Sequence, residues 1–590
     1  MGDSMFGSTH AAGRARSSTR RSRRLLAGAV ALTLGVVAAC GGDDDDATTD
    51  ATPLVSTVET ASEAPPAATD AGSSTTPEGT DTAATTGGSE TGTAGEGTGA
   101  PEGTVDTLTI GVPSLQEQYV DPHFAVGGLL FPLRYAISET LYRQDLDLEW
   151  VPNLATDYEI SEDGLTWTFT LRDDVTMHDG STFTADDVKT AVDRILGNDD
   201  FTHLAQFKSF VTGATVVDPT HVEVTTSSPY ATLLSDMPVP IPTAYYNEVG
   251  EEGFRAKPMQ AGAWKFVSQE LNSNVTYERF DEFFDKSRLP NFSNLVYQIV
   301  PDESSRVAGM QTGALDMAYG LTAVSAQQLE GNNGVTITEV PDTALAYVFP
   351  LDNNFPDEES PLHDLEVRRA LLMAIDREGI AEALYGGHAR VPDSAAPPTM
   401  LGYEEGDEVV PYDPEEAKRL LEEAGAAGMT LTLNQYNSTP SVPDVVKLGE
   451  TIAAFWTAAG IKVEMNVADS ATILPEWRAR NLRGAGLLAG PAQFYDEPIR
   501  LLSSFFASDA SYSSLNDPGM DDLRDRTAAA VEIEDREPLG TELQQLLDEQ
   551  LYGLPIILVS SLVASGPNVA SFEPMLSNPY AGPLWGLVAK

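Results

Sequence analysis

The 590-residue chain holds a single cysteine, Cys40, and only 35 Lys and Arg against 89 Asp and Glu. One cysteine excludes an intramolecular disulfide framework and any cysteine-rich metal site. A formal charge of -54 argues against nucleic-acid binding, which needs clustered cations facing phosphates. Histidine is scarce as well. The seven (10, 123, 178, 203, 221, 363 and 388) include no pair at metal-ligand spacing, so no metal and no cofactor is expected. No apolar run is long enough to span a bilayer, which takes roughly 20 residues. The longest, over 25–39, has 15. What is present is a body that can bury a core, with 42% hydrophobic residues. Its length predicts more than one core, since single cores seldom grow past roughly 250–300 residues.

The acidity is unevenly spread. Residues 1–39 carry six Arg (14, 16, 20, 21, 23 and 24) and one acid, Asp3, ahead of the short apolar run. A basic start, a brief apolar stretch and small residues before a break describe an export signal. The break, Val37-Ala38-Ala39-Cys40-Gly41, resembles the bacterial lipobox, in which the cysteine is lipidated and the signal is cut just before it. Stable anchoring through Cys40 takes more than one acyl chain. Arg20-Arg21 and Arg23-Arg24 leave both general and twin-arginine export open. Residues 40–104 then read as a tether of Gly, Ser, Thr, Ala, Pro and acids, with no Lys, Arg or aromatic residue. Such a segment cannot bury enough apolar surface to fold, and it would span about 40–50 Å root-mean-square as a flexible chain. The body, 105–590, keeps most of the negative charge, near -46.

Within the body, strand and helix signals interleave. Leu165, Trp167, Phe169 and Leu171 alternate with threonines, the pattern of a half-buried strand whose aromatics face a core. Thr184 with Asp187 opens a helix whose apolar face is Val188, Ala191, Val192 and Ile195. Asp364 opens a second, faced by Val367, Ala370, Leu371, Ala374 and Ile375. Arg368 and Arg369 on it read as solvated or paired, and Asp376-Arg377 as an ion pair. Asp413-Pro414 with Glu416 opens a third, ending at Gly425. A fourth runs from about 444 to 459, and Gly460 leads straight into a strand carrying Ile461, Val463, Met465 and Val467. Helix to strand across one glycine is α/β construction.

These pieces, in this order, resemble the extracellular solute-binding proteins of the oligopeptide, dipeptide and nickel class (family 5), which serve ABC importers. The resemblance rests on Asp121-Pro122-His123, on Val151-Pro152-Asn153-Leu154-Ala155, and on Asp163-Gly164-Leu165-Thr166-Trp167. It continues through Met177-His178-Asp179-Gly180, Gly262-Ala263-Trp264-Lys265 and Gly313-Ala314-Leu315-Asp316. It closes with Ala374-Ile375-Asp376-Arg377, Tyr412-Asp413-Pro414-Glu415 and Ala459-Gly460-Ile461-Lys462-Val463. It implies a two-lobed α/β periplasmic-binding-protein fold with an extra subdomain and a hinge. Lobe I is expected over about 105–138, 243–345 and 560–590, the extra subdomain over 139–242, and lobe II over 346–559. The chain is expected to cross between lobes near 347–351 and 556–559.

The function so implied is a solute-binding lipoprotein, not an enzyme. It would be a monomer held by its lipid on the extracytoplasmic face of the membrane, delivering solute to ABC permease subunits. A peptide is the first reading of the solute and an oligosaccharide the second. A sensory receptor or a secreted hydrolase are the rival classes, although neither H-E-x-x-H nor G-x-S-x-G occurs. Candidate ligand contacts are Tyr119, Asp121, Trp264, Asn353, Asn354, Phe494, Tyr495 and Asp496. In peptide-binding relatives, an acid in the segment corresponding to 490–498 pairs with the ligand's ammonium. Here that position is Phe494, with Asp496 two residues on. Phe494 and Tyr495 fit either a stacking surface or the lobe core. His178, beside Asp179-Gly180, reads as a turn residue.

Overall fold

A computed structural model of the protein describes residues 105–115, 120–124, 136–146, 150–201, 204–406, 409–439, 441–575 and 587–590. The export signal, Cys40, the 40–104 tether and Tyr119 lie outside these residues, as do the side chains of Gln493 and Phe494.

One 11-stranded sheet runs through the body. From one edge its strands are Lys462–Ala468, Thr430–Tyr436, Ala485–Pro491, Thr336–Pro350 and Leu554–Ser565. Then come Met317–Leu321, Thr107–Val112, Asn294–Ile299, Asn274–Arg279 and Trp264–Glu270, with the short Ala389–Arg390 strand beside Leu554–Ser565. The two longest strands, Thr336–Pro350 and Leu554–Ser565, belong to both halves. Residues 336–340 pair with 561–565 in the first half, and 344–348 pair with 554–559 in the second. Between them the register breaks at Val340/Ala344, and it slips again at Ala346/Tyr347. The cause is local: Pro341 has no N–H to give the ladder, and Asp342 adopts a left-handed φ of 53°. Thr343 spans the break, donating to the Val559 carbonyl at 3.1 Å and meeting Ser561 Oγ at 2.8 Å. The main break thus lies a few residues before the expected 347–351 crossing, while the smaller slip falls beside it.

Each half has its own core. Leu108, Ile110, Trp264, Tyr277, Tyr297 and Val563 are buried together in the first lobe. Tyr347, Phe349, Leu433, Trp456, Leu487 and Ile557 are buried together in the second. A separate four-stranded antiparallel sheet, Ala155–Ile160, Thr166–Leu171, His221–Thr226 and Val211–Asp218, forms a third body. Trp167 and Phe169 lie in its core, as their alternation indicates, with Val188, Val192 and Ile195 from the helix Ala185–Leu196.

The helix starts follow their caps. Asp187 accepts the Thr184 N–H at 2.8 Å, and Asp413 accepts the Glu416 N–H at 3.0 Å. The helix opened by Asp364 is shorter than its apolar pattern. It ends at Met373, and Asp376 caps a new helix, Arg377–Tyr385, by accepting the Gly379 N–H at 2.8 Å. Arg377 is buried and donates to the Pro555 carbonyl at 3.1 Å, so Asp376-Arg377 is a cap and an anchor instead of an ion pair. Arg368 is buried too, and it donates to the carbonyls of Leu362, His363 and Gln550, neither solvated nor acid-paired. The strand expected after Gly460 forms, but at the sheet edge, leaving Met465 and Val467 exposed.

Candidate functional site

The strand Ala485–Pro491 lies between Thr336–Pro350 and Thr430–Tyr436, so its five leading residues are buried. The Tyr436 hydroxyl holds its later part by hydrogen bonds to the Ala489 backbone. After Pro491 the chain makes a short 3₁₀ turn, Ala492–Tyr495, and Pro498 then starts the brief helix Pro498–Leu501. Thr399 donates to the Ala492 carbonyl at 3.2 Å, and the Leu401 N–H donates to the Asp496 carbonyl at 2.8 Å. The 492–496 turn is therefore held by the 399–401 loop, and the segment faces the four-stranded body through Arg500.

Its two carboxylates have different partners. Glu497 is buried in a two-pronged pair with Arg536, both contacts at 3.0 Å. Burial pushes the Glu497 carboxyl upward, and Arg536 opposes that. Asp496 is raised by burial as well, with Arg500 acting against the rise and Asp236 adding to it. Its oxygens face Arg500 Nε at 3.5 Å and the Gln144 amide at 3.4 Å. Arg500 reaches across to the four-stranded body, donating to Ser235 Oγ at 2.7 Å and to Asp236 at 2.8 Å. The other Asp236 oxygen accepts from Tyr230 at 2.7 Å and from Thr232 at 2.6 Å. Beside this cluster is a cavity with room for about one water, lined by Trp150, Tyr158, Trp167, Leu234, Glu497 and Arg536 among others.

The structure does not gather all the candidate contacts. Tyr495 and Asp496 stand at the seam just described. Tyr495 packs on the second-lobe core with its ring 5.4 Å from Phe505, and burial pushes its hydroxyl pKa upward. The backbone of Phe494 lies in the same turn. Asn353 and Asn354 sit elsewhere. The register pairs Ala344 with Pro491 and Pro350 with Ala485, so residues beyond 350 and beyond 491 leave opposite ends of one strand pair. At about 3.3 Å per residue those ends are roughly 20 Å apart. Asn354 is there engaged with Ser513, at 2.7 and 2.8 Å.

Asp121 has no exposed surface and is bound by Arg194 at 2.5 and 3.1 Å. Both its oxygens are used within the fold, which leaves none facing a solute. Trp264 is wholly buried in the first-lobe core, 5.0 Å from Phe292. His178 is more than a turn residue. It is buried, its Nε2 meets the Gly262 carbonyl at 2.9 Å, and its Nδ1 accepts the Gln260 N–H at 3.2 Å. Sequence reasoning missed Arg500, Asp236 and Gln144. Arg500 stands four residues from Asp496, a spacing that could have been read, but Asp236 is 264 residues from Arg500 and Gln144 is 352 from Asp496, and no spacing rule joins those.

The family model described as bacterial extracellular solute-binding proteins, family 5 Middle, matches residues 149–513. The chain is 27% identical over 374 residues to the glutathione-binding protein GsiB of Pectobacterium atrosepticum, covering 62% of this chain and 70% of that one. It is 26% identical over 455 residues to heme-binding protein A of Haemophilus influenzae, covering 71% and 81%. Among solved structures, the ABC transporter substrate binding protein CtaP of Listeria monocytogenes superposes with a TM-score of 0.71 at 23% identity. That superposition covers 82% of this chain and 99% of CtaP.

Proposed function

Because the chain belongs to the bacterial extracellular solute-binding proteins, family 5, we propose that it captures a short peptide or peptide-like solute between its lobes and hands it to an ABC permease. The observation that carries this reading is the pair of long strands shared by both halves. Two cores joined through a broken register can pivot about it without unfolding. A solute that touches both lobes favours the closed form, because only there does it gain both sets of contacts. The relatives' names give the range of solutes, glutathione in one and heme in another. Glutathione, a tripeptide-like molecule, fits the family's peptide theme.

The same reading assigns lobe I to 105–138, 243–345 and 560–590, the extra subdomain to 139–242, and lobe II to 346–559. It makes the protein a monomer without catalytic turnover. Cys40 anchors it through lipid on the extracytoplasmic face of the membrane, with 41–104 as the spacer. Among the described residues no helix is long and apolar enough to cross a membrane.

The test is mass spectrometry of whatever co-purifies, followed by a melting screen with glutathione, dipeptides, oligosaccharides and heme. A captured solute at about a hundred times its Kd stabilises the protein by about 2.7 kcal/mol. A panel in which nothing shifts the melt while some compound is consumed overturns the reading in favour of an enzyme. Loss of uptake on deletion separates an importer component from a sensor.

A further inference from the structure

The four-stranded body touches both lobes, and the two seams are built differently. Toward the first lobe the innermost ion pairs are buried, although Glu251 and Asp200, paired with Arg194 and Arg255, reach solvent. Arg194 pairs with Asp121, both without exposed side-chain surface, and Arg288 pairs with Glu139 at 3.0 Å with little more. Toward the second lobe the charged contacts are partly open to solvent, at 28% of the side chain for Arg500 and 21% for Asp236. The second seam also encloses the water-sized cavity, so its packing is incomplete there. From the second lobe the half-buried Val531 packs on the core of the four-stranded body.

We propose that this second seam is the face that opens and closes, and that Arg500 is its latch. The proposal rests on the two-lobe capture reading and adds which contacts set the open–closed balance. In the closed form Arg500 is shared among Ser235 and Asp236 on the four-stranded body and Asp496 on its own lobe. Gln144 supports it from the other side by donating to Asp496. Asp236 is pre-oriented, since Tyr230 and Thr232 occupy its second oxygen. On opening, Arg500 and Asp496 move off together as one partly neutral pair, and Asp236 keeps its two hydroxyl donors. Neither side is left with a bare buried charge. Separation therefore avoids the penalty that would lock the first seam shut. Being partly open to solvent, the latch weakens with salt.

The test uses the full chain with Cys40→Ser and two spin labels, at Val217→Cys on the four-stranded body and Met465→Cys on the second lobe, both exposed positions. The interlabel distance distribution is read at low salt and in 1 M NaCl. Arg500→Met, and independently Asp236→Asn, lowers the closed-to-open ratio roughly fivefold, the equivalent of a partly exposed ion pair at its upper range. Arg500→Lys recovers part of the loss. The salt response seen in the parent is absent from Arg500→Met. Distances unchanged by either substitution and by salt overturn the latch. If in that case glutathione or a dipeptide mixture still moves the distribution, capture by lobe closure stands without the latch. If no solute moves it either, both readings fall.

Discussion

The two faces of the four-stranded body show how one small sheet can be fixed on one side and free on the other. On the first-lobe side the segment Ala261-Gly262-Ala263 bridges the two cores, and backbone is packed directly on backbone. A Cβ at Gly262 would stand 2.4 Å from the Ile137 carbonyl carbon and 2.6 Å from the Ser138 nitrogen. Ala261 packs into one core and Trp264 into the other. On the second-lobe side no covalent crossing of this kind exists among the described residues, and long side chains make the polar contact. Both seams are charged. What separates them is solvent: a fully buried ion pair cannot be parted cheaply, whereas a partly exposed one exchanges each partner for water.

The strongest way to break the contrast is at Arg194. Its guanidinium donates to Asp121 and Glu251, has no exposed surface, and lies over the rings of Phe201 and Phe254. Arg194→Met leaves Asp121 buried and unpaired, and destabilises the fold by about 3–5 kcal/mol. Urea denaturation measures this, and a loss below about 1 kcal/mol would show the first seam to be as loose as the second.

His178 gives a pH handle on the same seam. Burial lowers its pKa from 6.5 to about 4. The folded state thus holds the neutral ring, while the unfolded chain takes a proton below pH 6.5. The group's contribution is complete above pH 6.5, declines as pH falls toward about 4, and changes no further below that. The full drop is about 3 kcal/mol. Denaturation midpoints from pH 7 to pH 4.5 should fall more steeply in the parent than in His178→Gln. Equal slopes would remove His178 from the account.

How much of this was legible in the sequence depends on distance along the chain. Local devices read well. The 165–171 alternation locates a buried aromatic strand, and capping residues locate helix starts at Thr184 and Asp413, because each involves residues within a turn or two. Ala374 and Ile375 continue the apolar period of their helix, so the period alone could not show that Asp376 begins another. The 461–467 pattern specified a strand but not its place at the sheet edge, which depends on the order of ten other strands. Pro341-Asp342 is a readable signal for the register break, and the crossing expected at 347–351 lies just beyond it. The candidate site was the least legible part. Asn353 and Asp496 each looked plausible alone, and only the register of two antiparallel strands shows that they diverge. Asp121 is held in the first seam and Trp264 in the first-lobe core, structural roles that a motif cannot distinguish from a binding one.

Gly262→Ala tests the backbone contact itself. The added methyl meets main-chain atoms, which cannot rotate away, so the two bodies must separate slightly. A loss of about 1–3 kcal/mol is expected, read from the same denaturation curves. A neutral result would mean that the first seam tolerates separation and that its fixity comes from the ion pairs alone.

The smallest effect on stability belongs to Arg500, and its smallness is what gives it meaning. Its pair with Asp236 keeps over a fifth of each side chain in solvent, so the Coulomb gain is screened and the unpaired partners rehydrate. Arg500→Met should therefore change global unfolding by less than about 1 kcal/mol, and less again in high salt. That amount is negligible against the free energy of folding, yet it is comparable with the free-energy gap between two domain arrangements of one folded chain. A residue whose loss leaves the melting curve nearly in place while altering solute affinity acts on the arrangement of folded bodies, not on their folding. If Arg500→Met instead lowers stability by as much as Arg194→Met, the second seam is part of the permanent core, and the difference between the two faces disappears.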